Sequence, residues 1–547
     1  MSDKDAVPAL PSGHRSREAG PPTANAARSS TREVEWKLVS DEQIDVDAIR
    51  ALLPEQIHLG AASSFSLTAT YYDTDDLRLA RRGITLRRRS GGSDDGWHLK
   101  LPNRSSEGSQ LDRDEITVPL TDNSEPPVEL ASLVSAFTRS KPLQRIGVLR
   151  THRTVHALVL EDDVIGELCR DEVRADVALP GAPTSPTQVF HEWEVEARSE
   201  AVDEVSKMVD ALVGHGFAVS TSPSKLRQAL GGSALAADPL AHNEKPSRRR
   251  SARDDITYYL KEQVEVLLQQ DHRIRLQLPD AIHRSRVAAR RVRSALRTFS
   301  PLLDSESLAE LRTDVVWAAG VLGRERDLDV IEIRLLTDLD DMSHGTISGT
   351  GSDRAAVDAV RALIERSLAS RRDEAHKNII ESINSERWSL MLDQLVAVAH
   401  DPPTTSRSAK PAARVLPSLA SKQWKSLAER AKHLSDADPA ESWHNARISA
   451  KRARYAAEAC APAMGREPAR FAKALAEVTE LLGNLQDTAI SRAMIHEIAD
   501  GVIDLDLVFV LGRLHAHEEA AAEQLRRDFP HVWKAAARPR LRRWLKA

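Results

Sequence analysis

Residues 33–39 read Glu-Val-Glu-Trp-Lys-Leu-Val. In an extended chain, side chains two apart share a face, so Glu33, Glu35 and Lys37 project to one side and Val34, Trp36 and Leu38 to the other. The alternation recurs at Arg87 and Arg89, at Arg113 and Glu115, and at Glu192, Glu194 and Glu196, where Trp193 and Val195 take the second face. One reading makes the charged side the solvent face of a half-exposed sheet. The other packs the apolar side against helices as an outer core, so that the sheet curls around its charged face and encloses it as a barrel or tunnel. Spacing alone leaves both open. An enclosed lumen of mixed sign suits a linear polyanion such as a triphosphate, with cations bonding phosphoryl oxygens and carboxylates holding a divalent metal.

Working outward, similar short segments follow: FSLTATYYDT (65–74), GITLRRRS (83–90), GWHLKLP (96–102), RDEITVPL (113–120), THRTVHALVL (151–160) and HEWEVEAR (191–198). Helical patterns are fewer, at 45–53, 128–138 and 201–216. This predicts a mainly antiparallel β domain over 31–232, preceded by a disordered, Pro- and Ser-rich tail (1–30) and followed by a linker (233–252). From 253 to 547 the periodicity is helical, broken by SHGTISGTGSD and by DPPTTSRSAKPAARVLP into lobes of about 253–400 and 414–547. The expected fold class is α+β, an N-terminal antiparallel barrel or tunnel followed by an all-α domain.

Composition bounds the function. Lys plus Arg (76) nearly balance Asp plus Glu (81), and a formal charge of −5 argues against a globally basic nucleic-acid coat, so any anion site must be local. Cys169 and Cys460 are the only cysteines, which excludes a disulfide scaffold and a multi-cysteine zinc site and fits a reducing compartment. With no signal-peptide pattern and no run approaching about 20 apolar residues, the expectation is a cytoplasmic protein that does not span a membrane.

The two helical lobes repeat each other. AIHRSRVAARRVRSAL and SWHNARISAKRARYAA place His283, Arg286 and Arg290 against His444, Arg447 and Lys451 at an offset of 161 residues. A second match sets Gly323, Arg326 and Asp327 against Gly483, Gln486 and Asp487 at an offset of 160. Two matches at nearly one offset imply a duplicated helical unit. At about 100° per residue, His283, Arg286, Arg290, Arg293 and Arg297 share one face, opposite Val292, Leu296 and Phe299. In the second copy His444, Arg447, Lys451 and Arg454 share the equivalent arc, with Glu458 where the first copy has Arg297. A solvated helix face usually interleaves signs, and the first stripe contains no acid, so bound anion or internal carboxylates such as Asp327 and Asp487 must offset the repulsion.

The Glu33-x-Glu35-x-Lys37 opening resembles the signature of the CYTH superfamily of triphosphate tunnel metalloenzymes. Further blocks stand in family order: YYDTDDLRLARRGITLRRR (71–89), WHLKLP (97–102), RDE (113–115), THR (151–153), Asp171, EWEVE (192–196), and Ser224 with Lys225. The resemblance implies that Lys37, Arg87, Arg89, Lys100, Arg113, Arg153 and Lys225 grip phosphates. It further implies that Glu33, Glu35, Asp171, Glu194 and Glu196 hold Mg²⁺ or Mn²⁺, with Glu115 as a further catalytic-site carboxylate. Arg150 competes with Arg153 for the late arginine, and Glu192 shares the face of Glu194 and Glu196.

The helical half resembles the CHAD domain, which implies two pseudo-symmetric four-helix bundles whose basic faces, His283, Arg286, Arg290, Arg293, Arg297, His444, Arg447, Lys451 and Arg454, bind inorganic polyphosphate. The expected function is metal-dependent hydrolysis of inorganic triphosphate, coupled to polyphosphate capture or targeting to polyphosphate granules. Rival readings keep the tunnel but assign thiamine triphosphate, nucleoside triphosphates or ATP cyclisation, or make both halves a non-catalytic polyphosphate-binding scaffold. Nucleic acid is disfavoured because, Tyr455 apart, the stripes lack aromatics for base stacking.

Overall fold

The computed structural model describes residues 29–39, 46–92, 94–103, 110–121, 123–178, 186–220, 222, 224–231, 236–241, 245–345 and 351–546. The tail expected over 1–30 lies outside them up to residue 28, as do residues 232–235 and 242–244 of the linker region and 346–350 of the break between helical runs. The alternating stretch is carried by β1 (Ser29–Val39), followed by β2 (Ile57–Leu59), β3 (Ser63–Asp73), β4 (Thr85–Ser90), β5 (Gly96–Pro102), β6 (Leu111–Val118), β7 (Gln144–Leu160), β8 (Asp163–Val177), β9 (Gln188–Ala197) and β10 (Ala218–Val219). Between and after them come α1 (Val46–Leu52), α2 (Val128–Leu133), α3 (Ser135–Thr138), α4 (Val202–Gly214) and α5 (Lys225–Ala229).

Eight strands run in the order β1-β6-β5-β4-β3-β7-β8-β9, and β9 pairs back onto β1, closing an antiparallel barrel. β1 makes the closure possible because its first half pairs with β6 and its second half with β9, from Val34 opposite Ala197 to Leu38 opposite Trp193. Polarity is inverted relative to a half-exposed sheet. Val34, Trp36, Leu38, Leu168, Trp193 and Val195 form an outer core with Ile49 of α1 and Val205, Met208, Val209 and Leu212 of α4. Burying each such side chain is worth about 1.5–3 kcal/mol, enough to hold the charged face inward. Glu35, Lys37 and Glu194 are each 3% exposed, so the solvent-face reading of these strands is overturned. The β8–β9 seam is tight at Gly166, where an added Cβ would stand 2.3 Å from the Glu196 carbonyl oxygen.

The chain divides into two compact units. The first is the barrel with α1, α4 and α5. The second comprises residues 233–547 together with Asp73–Arg82 and Pro127–Gln144. Within it, the Asp73 carboxylate accepts N–H groups from Thr74, Leu79 and Ala80, while Arg139 and Arg78 pair with Asp393.

Helices α6 (Ala252–Arg275), α7 (Ala281–Thr298), α8 (Ala309–Gly345), α9 (Gly351–Ile383) and α10 (Glu386–His400) form the first repeat. The second contains α11 (Ala412–Ala431), α12 (Ala440–Met464), α13 (Arg466–Ala499), α14 (Leu505–Ala536) and a closing 3₁₀ segment, Pro539–Lys546. α10 packs on α6 and α8 as the 3₁₀ segment packs on α11 and α13, so each four-helix bundle carries a fifth closing element. The repeats join through α7 with α12, α8 with α13 and α9 with α14, sharing a core that includes Leu335, Val360, Ile495 and Leu514. Among the described residues no helix is long and apolar enough to cross a membrane.

Candidate active site

Strand pairing sets the lumen's charges against each other. Glu33 stands opposite Arg113, Lys100 opposite Glu115, Lys37 opposite Glu194 and Arg153 opposite Asp171. The cavity is about 160 Å³. All seven expected phosphate-gripping residues line it (Lys37, Arg87, Arg89, Lys100, Arg113, Arg153 and Lys225), with seven carboxylates: Glu33, Glu35, Asp94, Glu115, Glu167, Glu194 and Glu196. The lumen is thus lined by equal numbers of both signs.

The carboxylates separate into two groups among the described residues: Glu33 with Glu35 and Glu196, and Asp171 with Glu192 and Glu194, each with oxygens within 4.8 Å of one another. The second group is already neutralised. Lys225 Nζ lies 2.9 Å from Asp171, 2.6 Å from Glu192 and 2.6 Å from Glu194. Lys37 pairs with Glu192 at 2.8 Å and with Glu194, and Arg153 grips Asp171 with two N–H groups at 2.8 and 2.7 Å. Burial opposes the charge of Glu194, yet Lys225, Lys37 and Arg153 hold its carboxyl well below the usual range. The same contacts keep Lys225 and Arg153 well above theirs despite burial.

The first group is less heavily paired with cations: Arg153 lies 3.3 Å from Glu196, and Arg113 with Lys37 holds the Glu35 carboxyl below the usual range despite burial. Lys100 Nζ reaches Glu33 Oε1 at 2.5 Å and Arg113 lies 2.9 Å from Glu35, but Glu33 Oε2 is buried without a hydrogen-bond partner. Burial, with Glu33, Glu194 and Glu35 adding to it against Arg153, pushes the Glu196 carboxyl up to about 7. Three converging carboxylates with an unsatisfied oxygen fit a hard divalent cation bound through oxygen. Thus the five expected metal ligands fall in two converging groups, Glu33, Glu35 and Glu196 in one and Asp171 and Glu194 in the other, and the second is the more heavily paired with cations.

On the opposite wall, Arg87 and Arg89 each keep a buried Nε–H without an acceptor. Arg87 Nη1 donates to the Tyr71 hydroxyl at 3.4 Å, and Arg89 pairs with Asp94. Burial, with Arg87 and Arg153 adding, lowers Arg89 to about 10. Incoming phosphoryl oxygens would satisfy these donors and relieve that repulsion. Arg150, the rival of Arg153, is exposed and pairs with Asp176 at 2.6 Å.

In the helical unit the stripes meet where α7 faces α12. Arg286 bonds Asp327 at 2.5 Å, and its repeat mate Arg447 interacts with Asp487. Burial brings Lys451 down to about 7, with Arg447, Arg290 and Arg286 adding and Asp487 opposing. His444 Nδ1 lies 2.8 Å from Gln486 Oε1, and His283, its mate, lies beside Arg326. Farther along, the pattern divides. Glu458 takes Arg291 at 3.1 Å and Arg454 at 2.8 Å, withdrawing Arg454 from the open ladder. Arg452 stays among cations: burial and then Arg297, Arg293 and Arg430 lower its pKa.

Comparison with known proteins agrees with both halves. The CYTH domain family matches residues 31–221 and the CHAD domain family residues 258–496. The chain is a CYTH–CHAD family member. Two uncharacterized proteins of Mycobacterium tuberculosis, from strains CDC 1551 and H37Rv, are each 30% identical to it over 478 residues, 84% of this chain and 88% of theirs. Similar solved structures include PptA from Streptomyces chartreusis, 24% identical over 52% of this chain and 99% of that one at a TM-score of 0.45. The CHAD domain of the plant Ricinus communis is 22% identical over 54% of this chain and 95% of that one, at 0.42.

Residues of the CYTH tunnel outside the sequence-based site set include Tyr71, Asp94, His98 and Glu167, together with Glu192, whose shared face the sequence does show, and in the CHAD helices Arg452 also stands outside it. Tyr71 and Glu192 lie in contact with its members, and so does His98, 2% exposed, with Nδ1 2.9 Å from Glu115. His98 shares the face of Lys100 two residues on, the signal that could have found it. Arg452 joins Arg293 and Arg297 from a neighbouring helix, which the periodicity of one helix cannot reveal.

Proposed function

We propose that the CYTH tunnel hydrolyses inorganic triphosphate or a similarly short polyphosphate with Mg²⁺ or Mn²⁺, and that the CHAD helices bind longer polyphosphate. The observation that carries the reading is the closed lumen in which Arg87 and Arg89 keep unspent donors while Glu33, Glu35 and Glu196 converge, with Glu33 Oε2 unpartnered and Glu196 raised by burial and its neighbouring carboxylates. Membership of a family made up largely of triphosphatases and cyclases supports the reaction class. A cavity of about 160 Å³ favours a short inorganic chain over a substrate with an organic head group, since drug-sized ligands occupy about 300–1,000 Å³.

In this scheme Arg87, Arg89, Lys100, Arg113 and Arg153 bind and orient the phosphoryl groups, and Lys37 and Lys225 fix the carboxylates of the neutralised group. Glu33, Glu35 and Glu196 would hold the metal, which supplies Lewis-acid stabilisation of charge on the transferring oxygens. Water attacks the terminal phosphoryl group, and the fixed cations stabilise the charge that spreads over its oxygens. No nucleophilic side chain is required.

The test is phosphate release from inorganic triphosphate, with Mg²⁺ or Mn²⁺ and with chelator, for the wild type, Glu35→Ala and Arg87→Ala. Metal-dependent turnover lost in both variants supports the reading. A wild type that binds long-chain polyphosphate but turns over no triphosphate would replace it with the scaffold reading.

A further inference from the structure

His98 lies on β5 with its ring enclosed and both nitrogens engaged: Nδ1 is 2.9 Å from Glu115 Oε1 and Nε2 is 3.0 Å from the Asp94 carbonyl oxygen. Both neighbours are acceptors. A backbone carbonyl has no proton to give, and Glu115, beside Lys100, Arg87 and His98 itself, is held below the usual carboxylate range despite its burial. A neutral imidazole has one N–H and one lone pair, so it can satisfy only one of the two contacts and turns a lone pair toward the other. Both contacts hold together only when the ring carries two protons.

The groups facing the ring compete over that second proton. Burial disfavours it, Glu115 of β6 favours it, and Arg87 and Arg89 of β4 oppose it, with a net lowering of the histidine's affinity for protons. Lys100, on the same strand face, adds a further cation beside Glu115. Arg87 and Arg89 are also the residues whose unspent donors await an anion. A polyanion settled against them neutralises the charges that keep the second proton away.

We infer that His98 is a proton-linked positioning residue: triphosphate binding draws a proton from solvent onto its ring, and the doubly protonated imidazole then fixes Glu115 between itself and Lys100. The inference rests on the proposed tunnel function and adds a coupling to it. Empty, the tunnel leaves a neutral ring that can serve Glu115 or the Asp94 carbonyl but not both, so the hold on Glu115 is shared between two tautomers. Occupied, it anchors Glu115 from both sides, so the carboxylate is ordered when a phosphoryl chain is present.

The experiment is calorimetric titration of the full chain with the non-hydrolysable imido analogue of inorganic triphosphate in Mg²⁺ at about pH 7, in buffers of different ionisation enthalpy, for wild type and His98→Asn. Asn keeps an N–H for Glu115 but cannot titrate. Wild type should take up more protons than the variant, by about half to one per site. ¹⁵N spectra of histidine-labelled wild type should show both His98 ring nitrogens protonated in the triphosphate complex, a reading that requires no substitution. Equal proton uptake in both proteins, or a His98 ring still singly protonated when bound, overturns the inference and leaves the tunnel reading standing. Absence of any triphosphate binding overturns both.

Discussion

Under the proposed binding of polyphosphate by the CHAD helices, the position of Lys451 should make the affinity depend on pH. Its ammonium is partly enclosed where α7 faces α12, and burial, with Arg447, Arg290 and Arg286, brings its pKa down to about 7. Near neutrality, therefore, the free protein holds much of this lysine uncharged. A phosphate chain laid over these cations restores the charge, so binding takes up a proton wherever the free side chain is neutral. Charge on Lys451 in the free protein falls from about nine-tenths at pH 6 to about one-tenth at pH 8. At fixed ionic strength the affinity should fall about tenfold over that interval, or ~1.4 kcal/mol. Fluorescence anisotropy of end-labelled long-chain polyphosphate with the full chain measures it. Lys451→Arg keeps its charge throughout and should bind with a flatter profile, while Lys451→Met should bind weakly at both ends. His283, lowered by burial and Arg326, is present in wild type and Lys451→Arg and so enters both profiles alike. A slope shared by wild type and Lys451→Arg would refute the reasoning.

Lys225→Met leaves Asp171, Glu192 and Glu194 with fewer partners and should destabilise the fold by about 3–5 kcal/mol in urea unfolding at about pH 7.5. Asp171 and Glu194 have depressed folded-state pKa values, so their contribution is present above their unfolded values and lost on acidification; the gap between wild type and variant should therefore narrow toward about pH 4, and a pH-independent gap would contradict the ion-pair account. Glu33→Gln removes the unpartnered oxygen of the converging triad and should weaken Mn²⁺ binding by at least about tenfold in calorimetry, whereas unchanged affinity would place the ion elsewhere. Asp255 is buried, accepts only the Ala463 N–H through Oδ1, leaves Oδ2 unpartnered and is pushed up to about 8 by burial. A raised carboxyl costs stability as pH rises from its unfolded value to its folded one, so Asp255→Asn should gain about 2–4 kcal/mol over wild type at pH 9 and nothing at pH 4; equal gains at both would remove burial of charge as the cause.

The alternation in 33–39 and 192–196 was legible because strand period and charge coincide there, and the repeat offset exposed the duplicated helices without any structure. Which face looked inward was not legible, since the outer coat comes from Ile49 and Met208, distant in sequence from the strands they cover. β8 was missed as a strand because Glu167, Arg170, Asp171, Glu172 and Arg174 obscure its period of two, and Gly166 reads as a turn although it is needed for close approach to β9. At the site, residue types located the charges, but only the third dimension could pair them. Glu33, Glu35 and Glu196 are separated from Glu194 and Asp171 by the reach of Lys37, Lys225 and Arg153, a matter of side-chain length and register.

The clasp at Glu458 gives the duplicated helical half a direction. Under the 161-residue repeat, Arg291 corresponds to Arg452 and Arg297 to Glu458, so the Arg291–Glu458 ion pair and the Arg452–Arg297 encounter are two-fold mates. One attracts and the other repels. Two identical chains docked about the same axis would have to make both contacts alike, because a change in one appears in the other. Within one chain position 458 differs from its mate at 297, so one edge of the seam is locked by an ion pair and the other is an arginine cluster. The helical half therefore has a head and a tail, and a linear anion laid across it would meet different ground in each direction.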